Sequence, residues 1–522
     1  MRKRQRNAAL LLLLITYHSS LITFLAGCGA RRTPDLGRIF AGARERTGKR
    51  PVIVVPGILG SQMVNRRTGE VVWPSILRSS EDGLSLPVSP ELAANRDELV
   101  SSKILDTLKL GRLAPDVYIY YELLKALERY GGYREGDWEN PSADGDRDTF
   151  YVFAYDWRRD NVETARELTR RVESLKERLG RPDLKFNVVA HSMGGLVARY
   201  AAMYGDADLP AEGEIVRPDW AGASFVNRIF MFGTPNEGSA EAFATLLEGY
   251  SVTEGLRRRV RLLNKLSRDD AFTIPSIYQL LPHGEAARFL DAELRPVEID
   301  LYDPAVWRRY GWGALGDAAF RERVARAASR QGSNSDGSDG QAGAAGVNTS
   351  DDAAGANGAA ALARHEAYTA LARHEAYLAA VLRRARRFHE ALDALDTGAP
   401  PPVALYAFGG DCEETLSAPV VLRDEGRARW LTLTAPRELR TPSGRKLKRR
   451  EVTLAMYEPG DGRVTRRSLM GEGLGSRRGS ILFNTPLPVA YAVFACDLHS
   501  ELHNNKTLQD NALTLLINEL TN

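Results

Sequence analysis

Ser192 stands in the run Ala190-His191-Ser192-Met193-Gly194-Gly195, a hydroxyl hemmed in by small residues. Residues 186–190 (FNVVA) precede it as a short apolar run with the length and make-up of a buried parallel strand. Leu196, Val197, Tyr200 and Ala201 follow it at helical spacing. A serine on the turn between a strand and a helix is placed for covalent, nucleophilic chemistry. Its hydroxyl stands clear of the sheet, and the small neighbours let strand and helix pack closely. Ala190 takes the place of the usual first glycine. The Met193 N–H, at the start of the helix, would donate to an oxyanion as it develops.

Such a serine needs a base, and the base needs an orienting acid. In sheets built around this turn the chain order is serine, acid, histidine. His499 lies just past the last apolar run, 489–495, where the base belongs; His503 is the alternative, about one helical turn further on. Two acids fit the order. Asp411 directly follows an apolar run at 403–408, and Asp461 lies in a Gly-Asp-Gly turn. Position alone leaves both open.

The elements that must carry these residues alternate. Strands are predicted at 52–55, 150–154, 186–190, 226–232, 403–408 and 489–495, and helices at 118–130, 161–179 (capped by Asn161) and 507–520. That alternation predicts an α/β fold, a mostly parallel sheet with helices on both faces. Segments 431–434 and 451–456 read as an antiparallel excursion and 457–462 as a turn. Between the two sheet halves, 240–402 becomes helical and reads as a cap over the strand C-termini, where open α/β sheets bind ligands. Within the cap, 331–361 is low in complexity, lacks Lys and Arg, and is expected to be disordered. The near-identical units 362–370 and 371–379 follow. Their nine-residue offset turns a helix by about half a revolution, so His365 and His374 face opposite ways and make no metal site.

Hydrophobic content of 43% and charged content of 26% are those of an ordinary globular protein. The net charge of +3 owes everything to Arg2, Lys3, Arg4 and Arg6; without them 66 basic side chains face 67 acidic ones, so nothing favours nucleic acid. Those four charges precede an apolar run that ends Leu25-Ala26-Gly27-Cys28. This reads as a signal peptide (1–27) closed by a sequence that resembles a bacterial lipobox. Lipidated Cys28 would then anchor the chain to the cell envelope, and Gly29 after it points to the outer membrane. A tether (28–49) would lead to a core split into 50–239 and 403–522. Cys412 and Cys496 each follow a strand end, and an oxidising compartment permits a disulfide between them; the sequence leaves the pairing open.

An ordered set of motifs runs through the chain. PVIVVPGILGSQ (51–62), VWP (72–74), YDWR (155–158), HSMGG (191–195) and GTPNEGS (233–239) come first, then YQLLP (278–282), GDGRVTRRSL (460–469) and HSEL (499–502). This set resembles the lecithin:cholesterol acyltransferases and their relatives, including the lysosomal phospholipase. The resemblance covers nearly all of 51–520 outside the low-complexity insert. It implies an α/β-hydrolase fold, Asp461 as the acid, His499 as the base, and the Ile58 and Met193 N–H groups as the oxyanion hole. It brings in Trp73, Asp156 and Trp157 as substrate-site candidates, although Asp156 and Arg158 also suit a buried ion pair at a strand end. The activity implied is transfer of a fatty acyl chain from a phospholipid or other lipid ester, through Ser192, to an alcohol, a sterol or water. A purely hydrolytic lipase is the alternative, and a non-catalytic lipid-binding protein on the same fold is a third reading. No metal cluster, P-loop or dinucleotide fingerprint is present, so no cofactor is expected.

Overall fold

A computed structural model describes residues 33–74, 83–108, 117–251, 265–335, 351–395, 400–474, 483 and 485–519. At its centre is a seven-stranded sheet made of β1 (Val52–Val55), β2 (Arg134–Glu135), β3 (Thr149–Val152), β4 (Phe186–His191), β5 (Val226–Phe232), β6 (Ala404–Gly410) and β7 (Val489–Ala495). The spatial order is β7-β6-β5-β4-β1-β3-β2. Every pairing in it is parallel, where the sequence predicts a mostly parallel sheet. Parallel strands are covered on both faces, which is why they read as apolar runs and not as alternating ones. Val52, Val54, Val189, Phe230 and Phe408 join one apolar layer with α1 (Tyr121–Arg129). Ile53, Val55, Val188, Ala190, Ile229 and Ala407 join the other with α2 (Asn161–Arg178) and α3 (Met193–Tyr204). The fold is that of an α/β-hydrolase.

The strand order has one reversal. From β1 the chain first lays down the edge strand β2, fills in β3 between it and β1, then crosses to lay down β4 to β7 in turn on the other side. At such a switch point the loops after neighbouring strands diverge and leave a crevice. Here those loops follow β1 and β4, so the segment starting at Pro56 and the turn at Ser192 are brought side by side.

Several expectations need correction. The cap is not wholly helical: α4 (Ala318–Ser335) and α5 (Asp351–Asp393) pack together, but Phe289–Leu290 and Pro296–Val297 join Val420–Asp424 and Arg429–Leu433 in a four-stranded sheet. Residues 331–335 and 351–361, expected to be disordered, lie in α4 and α5; 336–350 fall outside the described residues. The duplicated units sit within α5, where His374 packs on Phe272 and Phe320 while His365 is exposed. Segment 451–456 is a helix (Arg449–Met456) and not a strand. Its V-T-L-A-M run alternates, yet Glu451 accepts the Lys448 N–H at the helix start and Val452 and Met456, one turn apart, are buried. Tyr457–Gly460 pairs with Glu413–Leu416, so the turn begins only at Asp461. The cap of α2 is Asp160, not Asn161. The expected tether is folded from residue 33 on: Leu36, Phe40 and Ala43 are buried against the α1 layer. α6 (Lys506–Ile517), capped by Asn505, completes that layer. The signal segment and Cys28 lie outside the described residues, among which no helix is long and apolar enough to cross a membrane.

Candidate active site

Ser192 is held in a left-handed backbone conformation (φ 53°, ψ −127°) between β4 and α3. Few side-chain-bearing residues tolerate this, and it persists because the neighbours impose it. The Ser192 N–H donates to Phe232 O at 2.8 Å, tying the turn to the end of β5. Gly194 lets the first turn of α3 press on the end of β1; a Cβ there would stand 2.5 Å from Pro56 O and 2.6 Å from Val55 O. The strain aims the Ser192 hydroxyl at the crevice.

His499 follows β7 in a short 3₁₀ turn, His499–Asn504. Its Nε2 lies 2.9 Å from Ser192 Oγ and its Nδ1 2.8 Å from Asp461 Oδ2. Because a carboxylate only accepts, Nδ1 carries the hydrogen and Nε2 is left free to take the serine proton. Asp461 is itself fixed: Oδ1 accepts the N–H groups of Arg463 and Val464, and its own carbonyl accepts the His499 N–H at 2.8 Å. The sequence candidates Ser192, Asp461 and His499 therefore meet in one line. Asp411, the other acid in register, is exposed and hydrogen bonds to none of them. His503 is buried; its Nε2 donates to Ile119 O at 2.7 Å and its ring stacks on Tyr120. Burial drives it down to about 4.

The loop after β1 completes the crevice. Among the described residues neither the Ile58 nor the Met193 N–H donates to protein, and both flank the Ser192 turn. Leu59 next to Ile58 has φ 63°, and its carbonyl accepts the Trp73 indole N–H at 3.0 Å. Trp157 donates in the same way to Ser61 O at 3.2 Å. Both indoles are buried and pack edge to face beneath the loop. The substrate-site candidates Trp73 and Trp157 thus support the loop after β1 from below; sequence identifies an aromatic ring but not the side it faces. Asp156 grips the fully buried Arg158 at 2.8 Å, with Asp97 as second partner at 2.6 Å, so it belongs to an ion-paired strand end.

One feature went unread in the sequence, and another was left open there. Tyr120 Oη accepts the Gly57 N–H at 2.8 Å and sits 2.8 Å from His191 Nδ1. His191 Nε2 in turn lies 3.1 Å from His499 O. Nothing in the Ile-Tyr-Tyr run at 119–121 marks one tyrosine out, and His191 registers only as part of the HSMGG motif. The second feature is a disulfide between Cys412 and Cys496, which joins the chain just after β6 to the chain just after β7. Cys412 precedes Glu413, which pairs with the start of the Asp461 turn, and Cys496 lies three residues before His499. Glu413 lies close enough to both sulfurs to suggest a metal set, but the disulfide consumes them.

Residues 98–305 match the family model of lecithin:cholesterol acyltransferase. An Arabidopsis thaliana protein, lecithin-cholesterol acyltransferase-like 4, is 25% identical over 258 residues, which are 44% of this chain and 42% of that one. The chain thus spans under half the length of this curated relative. A crystal structure of the Tle4-Tli4 complex contains a chain of like fold: 16% identity, TM-score 0.50, with 90% of this chain and 98% of that chain covered. The matched stretch includes Ser192, His191, Asp156 and Tyr120. Ile58 lies before it, Asp461 and His499 after it.

Proposed function

We propose that the protein is a serine-dependent lipid acyltransferase or esterase that works through an acyl-enzyme on Ser192. The observation that carries this is the His499 imidazole bridging Ser192 Oγ and Asp461 Oδ2. Ser192 Oγ attacks the ester carbonyl carbon as its proton moves to His499 Nε2. The carbonyl oxygen, now an oxyanion, is received by the Ile58 and Met193 N–H groups. Collapse breaks the bond to the leaving alcohol, which departs with the proton from His499 and leaves the acyl chain on Ser192. An alcohol or water then gives its proton to His499 and attacks the acyl carbon, and the bond to Ser192 breaks as His499 returns that proton to Ser192 Oγ. Asp461 keeps the His499 tautomer and stabilises the imidazolium in both halves. The likeness to lecithin:cholesterol acyltransferases favours a phospholipid as acyl donor, and a lipid anchor on Cys28 would hold the enzyme at such a substrate.

Two experiments test this. A fluorophosphonate probe should label the wild type and not Ser192→Ala, whose ester turnover should drop by several orders of magnitude; about 10⁶ is the scale for a serine-protease nucleophile. Labelling of another serine in the variant would discard the assignment. Product mass spectrometry from phospholipid, with and without sterol or alcohol, then reads the acceptor. For the anchor, bacterial expression with a labelled fatty acid should give a lipid-tagged wild type and an untagged Cys28→Ser; a tag on the variant rejects it.

A further inference from the structure

An oxyanion hole works only if its donors are already aimed, because a donor that must reorganise gives back its advantage. Ile58 lies in a loop, so something must fix its N–H. The peptide unit between Pro56 and Gly57 is held at both ends. Its carbonyl accepts the Tyr155 hydroxyl at 2.8 Å, and its N–H donates to Tyr120 Oη at 2.8 Å. The next unit, between Gly57 and Ile58, is held on one side only: Gly57 O accepts the Gly60 N–H at 3.1 Å, and the Ile58 N–H is left to the crevice. The loop lies directly on the nucleophile, since a Cβ on Gly57 would stand 2.8 Å from Ser192 Cβ and 3.2 Å from His191 Nδ1.

Tyr120 connects this loop to the base. His191 Nε2 faces the His499 carbonyl, which only accepts, so Nε2 carries the hydrogen and Nδ1 accepts the Tyr120 hydroxyl. Burial, helped by the neighbouring His503 and His499, holds His191 well below the ordinary imidazole range, so this neutral tautomer persists. The hydrogen bonds all run one way: Gly57 N–H to Tyr120, Tyr120 O–H to His191, and His191 N–H to the His499 carbonyl. His503 stacks on the Tyr120 ring at a centroid distance of 4.5 Å and limits its movement.

We infer that Tyr120 is a positioning residue of the reaction: one buried hydroxyl sets the Ile58 donor and, through His191, the backbone of His499 relative to each other. The inference rests on the serine-enzyme reading above. It reaches beyond that reading by placing the alignment of oxyanion hole and base in a tyrosine and a histidine that touch no substrate.

The test compares wild type, Tyr120→Phe and Tyr133→Phe on a soluble short-chain p-nitrophenyl ester, together with binding of a trifluoromethyl ketone of matching chain, which forms a hemiketal oxyanion. Tyr133 is a control far from the crevice, where its buried hydroxyl donates to Leu516 O. Outright loss of an oxyanion donor costs about 10² to 10³ in kcat, so loosening one should cost Tyr120→Phe about 10- to 100-fold. KM should stay within about twofold, ketone affinity should fall in step with kcat, and Tyr133→Phe should leave both unchanged. If Tyr120→Phe does not fold, His191→Phe, which removes the acceptor of the Tyr120 hydroxyl, should move kcat and ketone affinity the same way. An unchanged kcat, a rise confined to KM, or an unmoved ketone affinity overturns the inference while fluorophosphonate labelling of Ser192 leaves the enzyme reading intact. A wild type that neither takes the label nor turns over ester overturns both.

Discussion

Asp461 has both carboxylate oxygens committed, one to backbone N–H groups of its own turn and one to His499. Asp461→Asn would keep the first set through its amide oxygen but turn an NH₂ toward Nδ1, forcing the hydrogen onto Nε2 and blocking proton uptake from Ser192. We expect a loss approaching the 10⁴ known for the same change in a serine protease, with unchanged melting. Asp411→Asn should stay within about tenfold, a barrier change near 1.4 kcal/mol. Side-by-side turnover of the two variants checks both, and the reverse ranking would move the acid. Residue reading alone could not choose between them, because the decision is tertiary. Asp461 meets His499 through a turn paired with Glu413–Leu416, and no local pattern records that pairing. Ser192 was legible because its signal is local, a strand period giving way to a helical one around small residues.

At the scale of elements, the cap is fastened to the core through the start of α2. Asp160 Oδ1 accepts the Val162 and Glu163 N–H groups, while its carboxylate also receives Gln279 and the Arg384 guanidinium of α5. Asp160→Ala removes a helix cap, worth about 1 kcal/mol, and one partner of a largely buried ion pair. A loss of about 2 to 4 kcal/mol in denaturant unfolding is expected. Arg384 keeps Asp208, which limits the damage. Asp160→Asn should recover the cap portion alone. Equal loss in both variants would assign the effect to charge only. The sequence placed this helix within a residue but put its cap on Asn161, since adjacent Asp and Asn are both good caps and only backbone geometry separates them. Helix Arg449–Met456 was misread for a related reason: a short apolar run fits either period until its neighbours decide.

Taken whole, the molecule keeps several imidazoles out of water. Burial holds His191 and His389 well below their ordinary range and brings His503 down to about 4. In the unfolded chain each would titrate near 6.5. Between about 6.5 and 4 the unfolded state therefore binds more protons, and stability present above that window is lost as pH falls through it. Melting temperature should drop steadily from pH 7 to 4.5. His503→Gln, which can still donate to Ile119 O, should flatten the slope; a wild type flat across this range would refute the assignment. The overall fold was the most legible level, because the run of strand and helix periods dictates a parallel sheet before any contact is known. What joins its two halves was not, and one consequence of that join concerns timing. Ser192 and His499 are 307 residues apart in the chain, and β7, just ahead of His499, is made after the other six strands of the sheet and lies on its edge. On the proposed mechanism, a chain grown or cut short of β7 would present Ser192 and the Ile58 and Met193 N–H groups with no imidazole at position 499 to take the serine proton. Ester attack on that mechanism therefore waits until the chain has been made past His499, 307 residues after its nucleophile.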